Sequence, residues 1–149
     1  MTRRDRLTDF EELYMEVQRK VSAEWHKRLD PLISASQALI LRKLDKSGPQ
    51  KITILADGLC ITPGAVTSLS DKLISSGYAI RKRDTKDRRV VYLEITDPGR
   101  ELLNQYRAEV KSTVKDFFVG LPDEDIDHLI RIYQMVLRNI DKPKEESCE

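Results

Sequence analysis

The stretch "TPGAVTSLSDKLISSGYAIRKRDTKDRRVVYLEIT", Thr62–Thr96, changes periodicity halfway along. In its first half Val66, Leu69, Leu73 and Ile74 fall on one side of a helix at about 100° per residue. Thr62 is a good N-cap, and Pro63 suits the first helical position. Gly77 can supply a left-handed cap after about Ser76. Beyond it, "YAIRKR" and "RVVYLEI" alternate with period two on either side of "DTKD", which predicts an antiparallel hairpin.

Upstream, a short helix is expected over about Ile52–Leu59, joined to the Pro63 helix by "CI". Before it, "ASQALILRKLDKS" reads as a helix. Ser34 and Gln37 form its capping box, and Gly48-Pro49 stops it. Phe10, Leu13, Tyr14, Val17, Val21 and Trp25 recur at helical spacing and predict a first long helix from about Thr8 to Leu29. Pro31 breaks it by disfavouring helix at Asp30. Downstream, Thr96–Gly99 opens a fifth helix that Gly120 ends. A sixth, with Ile126, Leu129, Ile130, Tyr133, Val136, Leu137 and Ile140 on it, follows Pro122. The last residues, "DKPKEESCE", read as a flexible tail. The expected class is mainly α with a small β-hairpin, in the layout of a winged helix–turn–helix.

Bulk properties narrow the function classes. The 149 residues carry a net charge of +1, so a polyanionic partner must be argued from local patches. No segment approaches the roughly 20 apolar residues of a membrane span, and the N-terminus has no apolar run resembling a signal peptide. A cytoplasmic setting and no membrane partner are therefore expected. Cys60 and Cys148 fit neither a disulfide framework nor a metal motif, and no cofactor is expected. No phosphate loop or nucleophile elbow points to an enzyme. "DEDIDH", Asp123–His128, reads as acids favouring a helix N-terminus.

The patch that matters lies in the hairpin. Arg81, Lys82, Arg83, Lys86, Arg88 and Arg89 are six basic residues against two acids, Asp84 and Asp87. Concentrated cations at an exposed turn suit phosphate contact, and an arginine at the tip suits a narrow minor groove. A charged edge hairpin that resists aggregation is the competing reading; it accounts for lysines better than for arginines. The preceding helix turns Gly64, Thr67, Ser68, Asp71 and Ser75 away from its apolar side, with Lys72 on the flank. Short polar side chains let a helix backbone approach a major groove about 12 Å wide, and an aspartate can accept from cytosine N4. The helix N-terminus, at Thr62 and Gly64, has amides suited to a phosphate. An ordinary solvated face has the same composition.

The segment "LADGLCITPGAVTSLSDKLISSGYAIRKRDTKDRRVVYLEIT" resembles the DNA-binding core of the MarR (multiple-antibiotic-resistance regulator) family. The wing motif of that family, Asp-x-Arg followed by Leu-Thr, reads here as Asp87-Arg88-Arg89, then Ile95-Thr96. Cys60 stands where the family often has glycine, and Thr85 where it usually has proline. The resemblance implies a homodimeric winged helix–turn–helix regulator, by family default a repressor, that binds a double-stranded, pseudo-palindromic DNA operator and is released by a small ligand. It implies that Arg89 enters the minor groove and that Asp87 holds the wing arginines. The DNA-contacting set expected is Thr62, Gly64, Thr67, Ser68, Asp71, Lys72, Arg81, Arg83, Asp87, Arg88 and Arg89.

The resemblance further implies residues 34–97 as the DNA-binding domain. Residues 1–33 and 98–141 would form a dimerisation region, and 142–149 the tail. The outer helices are too long and apolar for a small core to cover; Phe10, Leu13, Val17, Ile130, Tyr133, Leu137 and Ile140 are the interface candidates. An intramolecular bundle is the alternative use of those faces. A small aromatic or lipophilic effector would meet Tyr14, Trp25 and His26, which can equally be packing residues. A redox-responsive regulator is the alternative function. It would use Cys60, near a helix N-terminus, a setting that can activate a thiol. Structural filler is the plainer role for that residue.

Overall fold

The computed structural model describes residues 1–142, arranged as α1 (Arg3–Leu29), α2 (Ala35–Ser47), β1 (Gln50–Lys51), α3 (Ile52–Leu59), α4 (Pro63–Ser75), β2 (Ala79–Arg83), β3 (Val91–Ile95), α5 (Asp97–Phe117) and α6 (Asp123–Asp141). The expected tail, with Cys148, lies outside the described residues apart from Asp141, the last residue of α6, and Lys142, its cap. Two compact units result, Met1–Thr113 and the segment from Val114 onward.

Local chemistry sets the helix ends. Ser34 Oγ accepts from Gln37 N at 3.2 Å, and Gln37 Oε1 accepts from Ser34 N at 3.1 Å, so the α2 capping box is formed. Thr62 Oγ1 accepts from Ala65 N at 3.1 Å and opens α4. The sequence reading starts the first helix too late. Thr2 and Asp5 make a reciprocal box that begins α1 at Arg3, because two orphan amides find partners there despite the absence of apolar residues.

α3 and α4 close in the same way. Tyr78 N–H reaches Leu73 O at 2.9 Å, and Gly77 N–H reaches Ile74 O at 3.0 Å, with Gly77 at φ 83°. At α3, Ile61 N–H reaches Ala56 O at 3.1 Å and Cys60 N–H reaches Asp57 O at 3.4 Å. Both are Schellman ends. Cys60 takes the left-handed role at φ 55°, the one described non-glycine residue with positive φ. A side chain there costs about 1 kcal/mol relative to glycine. The residue that departs from the family's usual glycine therefore still adopts the glycine conformation, as the cap of α3.

Between these ends the helix axes turn by 111°. That turn packs Val66 and Leu73 of α4 and Leu55 and Ala56 of α3 against Ile40, Leu41 and Leu44 of α2. Each fully buried leucine contributes about 2–3 kcal/mol through loss of apolar surface to water. The hairpin is shorter than its alternation predicts: Tyr78 is used by the α4 cap, and pairing resumes only at Val91. Ala79 pairs with Ile95, and Arg83 with Val91. Leu93 and Ile95 are buried, so β3 pins the hairpin to the core. β1 has no counterpart in the sequence pattern. Two residues cannot show alternation, yet Gln50 and Lys51 pair with Leu93 and Tyr92 to give the antiparallel order β1-β3-β2.

α5 is seated on this sheet at its first turn. Thr96 Oγ1 donates to Gly77 O at 2.6 Å and accepts from Gly99 N at 3.1 Å, while Thr96 N donates to Tyr78 O at 3.1 Å. Gly99 is buried in this corner. Leu102 and Leu103 continue into the core. In the second unit, the end of α5 and the start of α6 enclose an apolar groove of about 900 Å³ lined by residues including Val114, Phe118, Ile126, Ile130, Tyr133 and Leu137. No residue of α6 is buried within the chain.

Candidate nucleic-acid interface

The wing tip is a chain of turns held by aspartates. Asp84 Oδ1 accepts from Lys86 N at 3.2 Å, and Asp84 N donates to Val90 O at 2.9 Å. Asp87 Oδ1 accepts from Arg89 N at 3.0 Å and from Arg89 Nε at 3.2 Å. Short carboxylates fold back on their own backbone in this way and fix a turn that lacks proline. The charge-assisted contact orients the Arg89 guanidinium, yet its side chain is 92% exposed. Arg83 Nη1 donates to Arg88 O at 3.1 Å, bracing the tip from β2. Lys82 pairs with Glu94 across the strands at 2.7 Å.

The wing therefore carries its cations outward on a backbone tied at both ends. Asp84 has a structural part that sequence analysis did not assign it; the Asp-x-Lys spacing was the available signal. The expected hold of Asp87 on the wing arginines is seen for Arg89.

On α4, the face predicted to point outward does so. Thr62, Gly64, Thr67, Ser68, Asp71, Lys72 and Ser75 are exposed, while Val66, Ser70 and Leu73 are buried. A Cβ on Gly64 would meet nothing within 4 Å, so the chain's own packing does not require glycine there. Thr67 Oγ1 donates to Pro63 O at 3.0 Å, which leaves the oxygen as an acceptor. Asp71 is not a free carboxylate: its Oδ1 pairs with Arg81 Nη2 from β2. Among the eleven residues predicted for this surface, the structure thus joins Asp71 to Arg81, Arg83 to Arg88 and Asp87 to Arg89.

The three residues predicted for a ligand do not come together. Trp25 and His26 line a cavity of about 450 Å³ with Leu29, Asp30, Arg42 and Tyr106. Tyr14 lies elsewhere on α1, its hydroxyl accepting from Gln18 and its ring 6.0 Å from that of Phe10. The i,i+11 spacing of Tyr14 and Trp25 explains this, since Trp25 and His26 sit on the last turns of α1 and Tyr14 about three turns earlier along the axis. Arg42 and Tyr106 were missed because they arrive from α2 and α5. His26 Nδ1 is 2.6 Å from Asp30 Oδ2 at the rim. Burial, followed by the nearby Asp30 carboxylate, raises the Tyr106 phenol above its ordinary range despite the opposing Arg42. It remains a hydroxyl donor at neutral pH.

The comparisons with known proteins fit this geometry. The model of the MarR family matches residues 33–91, from the α2 cap to the start of β3. The HTH-type transcriptional regulator YpoP of Bacillus subtilis is 27% identical over 125 residues, 84% of this chain and 89% of YpoP. The HTH-type transcriptional repressor MdtR of the same organism is 30% identical over 94 residues, 63% of this chain and 61% of MdtR. The crystal structure of the YusO protein from Bacillus subtilis superposes with a TM-score of 0.83 at 23% identity, covering 93% of this chain and 99% of that one, which establishes the likeness of fold. Among the described residues, no single helix is long and apolar enough to cross a membrane. The wing motif, the capped helix–turn–helix and these relatives converge: the chain is a winged helix–turn–helix that resembles the MarR family over residues 33–91, and its relatives support a role in DNA-binding regulation of transcription.

Proposed function

We propose that the chain represses transcription by binding a pseudo-palindromic operator as a homodimer, and that a small aromatic or lipophilic ligand releases it. The observation that carries this reading is the wing: an outward arginine, Arg89, oriented by Asp87 and braced beside a helix with a small, polar, exposed face. α4 enters a major groove, with Thr67 and Ser68 framing bases. Thr62, Gly64 and Lys72 serve the backbone, as do Arg81, Arg83 and Arg88, and Arg89 enters the flanking minor groove. Two copies reading one face of the duplex space their half-sites by about 34–36 Å or a multiple. Repression follows the family default and the repressor role of MdtR.

Pairing of two copies is supported by the faces that each unit leaves uncovered. Phe10, Leu13 and Val17 on α1 are exposed, as are Ile130, Tyr133, Leu137 and Ile140 on α6. Exposed apolar stripes of this extent mark association surfaces. Residues 1–33 and 98–141 are accordingly the dimerisation region, and 34–97 the DNA-binding domain. The effector site is the cavity at Trp25 and His26, where Arg42 and the Tyr106 hydroxyl add polar groups to an aromatic wall. A ligand that favours one spacing of the two recognition helices over another shifts the population between binding and released states.

Selection from a random duplex pool with the purified full chain tests the reading. The expected result is an enriched inverted repeat whose half-site spacing matches whole turns of duplex. A pool with no enriched sequence would overturn it.

A further inference from the structure

The pairing of Asp71 with Arg81 changes what each residue can do. Asp71 lies on the outer face of α4, and Arg81 lies on β2. Along β2, Ala79 and Arg81 share one face of the sheet by strand alternation, and Ala79 is buried in the core. That face leads Arg81 back to α4, where its Nη2 meets Asp71 Oδ1. The next residue on the same face, Arg83, reaches Arg88 O at the tip, and Asp87 there holds Arg89. A line of arginine contacts thus runs from α4, through β2, to the end of the wing.

We infer that Asp71 is a positioning residue that sets the wing against α4 through Arg81, and that it does not read cytosine as the sequence alone led one to expect. This rests on the DNA-binding reading above. Arg81 takes one of the two carboxylate oxygens, Oδ1, so the direction of the other is set by the wing and not by a base in the groove. Placed bare among phosphates, it is also repelled by them. Paired with a guanidinium, its charge is balanced, and its geometry fixes the five-donor fork of the arginine. Arg81 keeps donors beyond the one given to Asp71, and these point the contact role to Arg81. Both side chains are about half exposed, at 50% and 55%, so the pair orients groups at the surface more than it holds the fold together.

The experiment measures affinity for the selected operator and for an unrelated duplex, together with base preference at each operator position. The proteins are the wild type, Asp71→Asn, Asp71→Glu, Arg81→Gln and the double variant Asp71→Asn/Arg81→Gln. Thermal melts accompany each as a check on folding. The expected result is a roughly tenfold loss of the operator-to-unrelated affinity ratio in Asp71→Asn, spread evenly over positions, with base preference kept. Asp71→Glu restores most of the ratio, because a carboxylate is again within reach of Arg81. In the Arg81→Gln background, Asp71→Asn has no further effect. A changed preference at one base pair per half-site, persisting when Arg81 is Gln, would overturn the assignment and return Asp71 to base reading. An unchanged ratio in Asp71→Asn would overturn it as well. Failure of the DNA-binding reading is distinguishable, since the wild type would then select no operator.

Discussion

Gly99→Ala is expected to lower the thermal midpoint by roughly 4–12 °C, the largest stability effect of any single-methyl change at a glycine in this chain. The cause is local. A Cβ at position 99 overlaps the Tyr78 carbonyl oxygen and stands 2.9 Å from Ile95 Cγ1. The carbonyl is backbone already engaged by Thr96 N, so it cannot turn aside without breaking the α5 start. Overpacking costs about 1–3 kcal/mol where side chains can give way and about 3–4 where, as here, backbone must move, whereas alanine recovers about 1 kcal/mol of helix propensity. The net expectation is a loss of about 2–3 kcal/mol, at roughly 2–4 °C per kcal/mol for a chain of this size. Gly64→Ala is the matched control, because a Cβ there meets nothing. Calorimetric melts of the two variants check the contrast. Equal midpoints would mean that α5 is not seated on the Tyr78 carbonyl.

Arg89→Ala is expected to weaken operator binding roughly tenfold to a hundredfold at fixed salt while leaving the melting midpoint unchanged. The side chain is nearly all exposed and buries no apolar surface, so the fold loses only a surface ion pair of about 0–1 kcal/mol. The complex loses a guanidinium presented in a fixed direction, at about 1–3 kcal/mol per contact. Arg88→Ala should cost less, because its neighbour Asp87 spends Oδ1 on Arg89. A gel-shift titration of the wild type and both variants on the selected duplex provides the comparison. Unchanged affinity in Arg89→Ala would remove the wing tip from the interface.

What could be read from the sequence depended on how local its cause was. The bounds of α2 and α4 follow from caps within four residues of a helix end, such as Ser34–Gln37 and Thr62–Pro63, and these appear in the structure where the sequence places them. The Thr2–Asp5 box was equally local, and it was overlooked because arginines at positions 3, 4 and 6 interrupt any apolar pattern there. β1 is different in kind: its two residues are strand only because β3 offers them a ladder. The candidate site divides along the same line. The turn chemistry at Asp87–Arg89 spans two residues and was legible, whereas the Arg81 partner of Asp71 lies ten residues away on another element. That contact altered the role assigned to Asp71. The cavity repeats the lesson, with Trp25 and His26 on one helix turn and Arg42 and Tyr106 supplied by tertiary packing.

The central claim is that a basic wing and the α4 face meet DNA phosphate and base together. Its most direct test is the dissociation constant of the full chain on its selected duplex, measured between about 50 and 200 mM salt, with Arg89→Ala beside the wild type. Each phosphate neutralised contributes about −0.9 to the log–log slope, so six to ten contacts across the complex weaken binding by roughly 10³–10⁵ over that range. The account predicts a fall of that size for the wild type and a shallower slope for Arg89→Ala. A flat plot, identical for the two proteins, would contradict it.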